Sequence, residues 1–210
     1  EFNVRTTSPD QARTGALVVA AYDGRRLSES AAVVDDACGG QLSRALADGD
    51  LGNEAGASVL LRHTPGIRAS RVLIVRAGAP KDLTVARYRS IARGAAQAVG
   101  RTGSKDAILC LDELEVADHD MRWKVRTLAE AAADAVYRYS ETKSTKATPP
   151  SWARTIFLAS GRRALRQVET AVTEAAALAA GKALAKDLGN LPGNICTPTY
   201  LAERARDLAK

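Results

Sequence analysis

Apolar positions along this chain recur with two different periods, and the period switches from one segment to the next. Phe2 to Thr6 alternates as an edge strand does, whereas Ala16 to Tyr22, ALVVAAY, is a continuous apolar run typical of a strand buried on both faces. Ser58 to Thr64 and Arg71 to Ala77 predict two more strands, and Pro65 with Gly66 between them marks a tight hairpin connection. Ala107 to Leu111 and the stretch ARTIFLA add two further short strands. Helical spacing takes over elsewhere. Ser30 to Cys38 predicts a helix that breaks at Gly39 and Gly40 and resumes to Ala47. Val85, Tyr88, Ala92, Ala95 and Val99 predict a helix ending near Arg101, and Met121, Val125, Leu128, Ala132, Val136 and Tyr139 form a second apolar stripe. Between that stripe and ARTIFLA, KSTKATPPS (Lys143 to Ser151) reads as a polar loop broken by prolines.

Val168, Val172, Ala175, Ala179 and Ala183 carry a third stripe from Leu165 to Leu188, with Gly189 in the position where a left-handed residue ends a helix. At 1.5 Å per residue those ~24 residues span about 36 Å, enough to bridge two domains. Thr197 followed by Pro198 then starts a last helix: the hydroxyl caps exposed N–H groups, and proline at the first position has none to leave unsatisfied. Leu201, Ala205 and Leu208 form its apolar stripe, which implies a packing partner, because so short a helix draws most of its stability from tertiary contact. Alternating strands and helices predict an α/β domain over 1–163, a linking helix over 164–188, and the beginning of a second, truncated domain over 189–210.

Composition narrows the chemistry. The 210 residues are 46% hydrophobic, ample for a core, and the net charge of +6 is spread along the chain rather than concentrated. Cys38, Cys110 and Cys196 lie more than seventy residues apart, which fits neither a disulfide framework nor a paired metal site. With two histidines, His63 and His119, there is little material for a histidine-based catalytic or zinc cluster. No segment approaches the ~18 apolar residues of a membrane span.

Three stretches carry candidate chemistry. VRAGAPKDL, Val75 to Leu83, puts a glycine between strand and helix without the spacing of a phosphate-binding turn, so it reads as an ordinary connection. LDELEVADHD gathers Asp112, Glu113, Glu115, Asp118 and Asp120 in an order unlike a calcium loop, and reads as solvated charges near a helix start. Arg122, Lys124 and Arg126 form one basic group and Arg162, Arg163 and Arg166 another, either able to grip phosphates of duplex DNA.

EFNVRT, SVLLRHTPG, RVLIVRAG, RWKVRTLAE and above all AAGKALAKDLGNLPGNICTPTYLAERARDLA occur here in one order along essentially the whole chain. Together they resemble the bacterial branch of the cytosolic leucyl aminopeptidase family, with Gly193 standing where that family usually has a second proline. The resemblance implies a macro-like N-terminal domain with a mixed sheet flanked by helices. A linking helix and a catalytic domain would follow, of which residues 189–210 are the start. It further implies a cytoplasmic homohexamer that removes N-terminal amino acids from peptides with a free N-terminus. Two divalent ions, manganese or zinc, would be held by carboxylates and a lysine of the catalytic domain. The family's NTDAEGR-like and GITFD-like signatures do not occur in this sequence, so no catalytic or metal residue carries over and the chain by itself is expected to be inactive. Two alternatives stand beside this reading: a DNA-binding regulatory module using the basic residues, and a macro-like nucleotide-binding domain.

Overall fold

The computed structural model describes residues 1–144 and 148–209. Part of the loop expected over 143–151 therefore lies outside the described residues. Six strands, β1 (Phe2–Arg5), β2 (Ala16–Tyr22), β3 (Ser58–Arg62), β4 (Arg71–Gly78), β5 (Asp106–Leu109) and β6 (Arg154–Leu158), form one sheet in the order β1-β6-β5-β2-β4-β3. Every neighbouring pair is parallel except β3 with β4. Parallel pairing demands crossovers, and helices for these are supplied by α1 (Glu29–Ala37), α2 (Gln41–Ala47), α3 (Val85–Gly100) and α4 (Met121–Val136), while α5 (Gly161–Asn190) and α6 (Pro198–Leu208) follow the last strand.

β2 shows why the sheet must be covered on both sides. Its side chains alternate across the sheet, so Leu17, Val19 and Ala21 pack with Ala31, Val34 and Leu42 of α1 and α2. Ala16, Val18 and Ala20 point the other way, into a larger core with Ile91, Ala95, Val125, Leu128 and Val168 of α3, α4 and α5. All six are fully buried. Close packing also uses a glycine: a Cβ on Gly94 of α3 would lie 2.4 Å from the Gly56 carbonyl oxygen, so only glycine lets that loop approach the helix.

The hairpin between β3 and β4 forms as expected, but its connection runs from His63 to Ser70 and is not tight. α5 departs further. It begins at Gly161, and Val168, Ala171 and Ala175 are buried, so its first half lines the core instead of spanning free space. Its second half stays against α4, where Lys182 and Lys186 reach the Asp134 carboxylate at 2.7 and 2.6 Å. Gly189 does not end it: the helix runs on to Asn190, whose amide donates to the Lys186 carbonyl, and stops at Leu191, extended at ψ 137° ahead of Pro192. Thr197 caps α6 by accepting from the Tyr200 N–H, as expected. α6 has no buried residue, and Leu201 and Leu208 are 44% and 71% exposed.

The break between α1 and α2 is bridged by Asp35. Gly40 at φ 81° sits where α2 needs a capping side chain and has none. Asp35 reaches across instead: Oδ1 accepts from the N–H groups of Leu42 and Ser43 at 2.8 and 3.1 Å, and Oδ2 from the Ser43 hydroxyl at 2.5 Å. Removing it leaves the buried Leu42 N–H without a partner and uncaps the start of α2, so Asp35→Ala is expected to lose about 1–2 kcal/mol of stability in urea denaturation. A loss under about 0.5 kcal/mol would show that α2 is capped without it.

Candidate functional site

The chain leaves β2 for α1 on one face of the sheet and leaves the adjacent β5 for α4 on the other. The backbone therefore parts above the carboxyl ends of these two strands, which is where open α/β sheets accommodate ligands. A cavity of about 670 Å³ opens there and extends over β6 and β1. Its walls come from four connections: Thr6 to Pro9 after β1, Glu29 to Val33 at the start of α1, Cys110 to Glu115 after β5, and Leu158 to Gly161 after β6. Met121 and Lys124 of α4 and Ala164 and Val168 of α5 close it.

Glu113 ties the walls together. Its carboxylate accepts from the Ser30 N–H at 2.9 Å and the Ser30 hydroxyl at 2.7 Å, placing a negative charge at the N-terminus of α1 where the helix dipole favours it. Asp112, one residue earlier, is only 7% exposed, and burial is the main reason its carboxyl pKa is pushed up to about 7. The neighbouring Glu113 charge pushes the same way, while its own main-chain N–H and Lys124 oppose the shift. Lys124 is itself buried, and its ammonium donates to the Leu114 carbonyl at 3.1 Å. Burial holds its pKa below the usual lysine value against the pull of Asp112, Glu115 and Asp120. Beneath them the Tyr88 hydroxyl meets the carbonyls of Leu111 and Lys124 at 3.3 and 3.4 Å. The Cys110 thiol at the cavity wall is held protonated by burial, its pKa well above the ordinary value, which agrees with a small buried hydrophobe and leaves it no thiolate to act with.

Several expectations change here. The acidic stretch is not uniformly solvated: Asp120 does cap α4 by accepting from the Trp123 N–H at 2.8 Å, but Asp112 is buried and Glu113 is spent on α1. Among the basic candidates Lys124 turns inward, because its stem covers the apolar interior and its ammonium finds a carbonyl, so it is no part of an exposed phosphate grip. Arg122 forms a two-point pair with Glu174 of α5, one contact at 2.7 Å, and Arg126 lies 3.9 Å from Glu130. Arg162, Arg163 and Arg166 are exposed at the start of α5. Arg166 lies eight residues before Glu174, about 12 Å of helix rise, so the two basic groups remain apart. The cavity's hydroxyl lining, Thr6, Thr7, Ser8 and Ser160, escaped sequence reasoning. Its one local signal is that small polar residues follow directly on the end of β1 and, after Ala159, on the end of β6.

The cytosol aminopeptidase family is described by a model of its N-terminal domain, which matches residues 18–146. That is more than half of this chain. The chain belongs to the cytosol aminopeptidase family. Over all 210 residues it is 40% identical to the cytosol aminopeptidase of Pseudomonas aeruginosa, and it spans 42% of that protein's length. Among solved structures, a mutant of tomato leucine aminopeptidase superposes with TM-score 0.73 at 21% identity, over 99% of this chain and 42% of the plant chain. The bottromycin maturation enzyme BotP in complex with Mn gives 0.66 at 25% identity, over 93% and 36%. A Trypanosoma brucei macrodomain in complex with ADP-ribose gives 0.62 at 13% identity, over 81% and 68%, so the family's N-terminal domain shares the macrodomain fold. The mixed sheet flanked by helices is the fold that the sequence predicted. No helix among the described residues is long and apolar enough to cross a membrane.

Proposed function

We propose that this chain is the N-terminal region of a metal-dependent leucyl aminopeptidase that removes N-terminal amino acids from peptides, and that it contributes none of the catalytic residues. The observation that carries this reading is the 40% identity to an aminopeptidase from one end of the chain to the other. Two divalent ions, manganese or zinc, would polarise the attacking water and the peptide carbonyl. The BotP complex with Mn supports the metal class. The residues here do not fit those ions: among the described residues no three His, Cys, Asp or Glu side chains are grouped to hold a metal. The metals and the chemistry are assigned to the part of the relatives' length that this chain does not span.

In this reading residues 1–163 form the N-terminal domain, 164–188 the link and 189–210 the start of the catalytic body, against which Leu201 and Leu208 would be covered. The protein would be a cytoplasmic homohexamer. A DNA-binding role would rest on Arg162, Arg163 and Arg166, since Arg122 and Arg126 are engaged in ion pairs and Lys124 is buried. A nucleotide-binding role has the support of fold alone, and folds host unrelated functions. The test is release of p-nitroaniline from leucine p-nitroanilide with manganese present. The 210-residue chain is expected to give no turnover and the full-length protein to give it readily. Activity that co-purifies with the 210-residue chain would overturn the assignment of chemistry elsewhere.

A further inference from the structure

Asp112 is a carboxylate that the fold buries without a partner from another side chain among the described residues. It lines the cavity, leans on its own main-chain N–H, and among the described residues receives no hydrogen bond from another side chain and joins no ion pair. A carboxylate has about four acceptor positions, so most of its capacity faces the open space. Lys124 does not fill it, because that ammonium is committed to the Leu114 carbonyl. A second feature stands opposite. Ser160 follows β6, the strand next to β5, and lines the same cavity as Asp112. Ser160 is the residue before the 30-residue α5 and makes no side-chain cap bond, so the uncapped start of a long helix opens on the same cavity. Val33, Met121, Leu158 and Val168 give the same cavity an apolar lining.

We propose that this cavity binds a free aliphatic α-amino acid, with its ammonium on Asp112, its carboxylate at the N-terminus of α5 and its side chain on that apolar wall. A buried carboxylate and an uncapped helix start on the wall of one cavity offer a partner to each of the two charges of an α-amino acid. The charge balance favours this class over phosphates, since Glu29, Asp112, Glu113 and Glu115 outnumber Lys124 around the cavity. A lone metal ion does not fit either, because among the described residues no three ligating side chains converge. Binding needs no turnover, so the proposal stands or falls separately from the catalytic reading. Should both hold, the ligand belongs to the class of product that the enzyme releases.

Protons follow the ligand. Asp112 faces Glu113, Glu115 and Lys124, with Tyr88 and Cys110 packed below and Glu29 across the cavity, and it holds its proton up to about pH 7. A bound ammonium favours the ionised carboxylate, so binding at pH 7 releases about half a proton. Calorimetry of the 210-residue chain with L-leucine, in two buffers of different ionisation heat, is expected to show saturable binding with that release. Asp112→Asn, an uncharged replacement close in shape to the protonated acid, should weaken binding roughly tenfold or more and abolish the release, with cooperative unfolding retained. On the unaltered protein, N-acetyl-L-leucine and L-leucinamide, each lacking one charge, should also bind roughly tenfold more weakly. The proposal is overturned by absence of saturable heat up to about 10 mM L-leucine, by N-acetyl-L-leucine binding as well as leucine, or by ADP-ribose displacing leucine.

Discussion

Replacing Phe157 with alanine is expected to lower stability by about 3–5 kcal/mol, the range found when a fully buried aromatic side chain is truncated. Phe157 is completely buried in β6, and it projects into the core shared with α3, α4 and α5. β6 is held by β1 on one side and β5 on the other, so the backbone cannot move in to refill the space. For a chain of this size each kcal/mol shifts the melting temperature by about 2–4 °C, so a fall on the order of 6–20 °C follows. Leu201→Ala in α6 is the control, with a change within about 0.5 kcal/mol, because that leucine is already 44% exposed. Thermal denaturation of the two variants side by side measures both. A loss under about 1 kcal/mol for Phe157→Ala would mean that the core collapses around the deletion and that β6 is not rigidly seated.

Asp112→Asn should stabilise the protein, and by an amount that grows with pH. In the unfolded chain the carboxyl loses its proton near 3.8, whereas in the folded protein burial keeps it until about 7. Between those values the folded state binds more protons, so stability falls as pH rises through this window and levels off above it. At roughly 1.4 kcal/mol per pKa unit the full cost is on the order of 4 kcal/mol. Asparagine does not ionise and escapes it. Urea denaturation should find the variants similar near pH 4 and separated by about 3–4 kcal/mol at pH 8. A difference that does not change with pH would show that the Asp112 carboxylate is hydrated in the folded protein and would remove its burial from the account of the cavity. A residue that destabilises its own fold is characteristic of a binding site, where stability is given up for a poised group.

The six strands and six helices were legible because nearly all carry a clear period over several residues, α2 after the Gly39–Gly40 break being the weakest. β2 shows this most plainly: a seven-residue apolar run has nowhere to lie except between two helical layers. The caps of α6 were legible too, since Thr197 and Pro198 act within one turn. The end of α5 was not. Gly189 is a good local stop, but Asn190 binds back to Lys186 and α4 packs alongside, so the tertiary surroundings carried the helix to the proline. The cavity was hardest to read. LDELEVADHD offers five carboxylates that differ little in local chemistry, and nothing within ten residues tells which one will be buried.

The sequence by itself determined the α/β class, the placement of the elements and the family, because these depend on local periodicity and on motifs that survive as strings. Only the tertiary structure decided that Asp112 is buried at the wall of a cavity, that Glu113 serves α1 and that Lys124 turns inward. Those outcomes depend on Ser30 and Leu114 being brought beside Glu113 and Lys124 by the fold, and desolvation, the dominant influence on Asp112, is a property of what surrounds a side chain in space rather than along the chain.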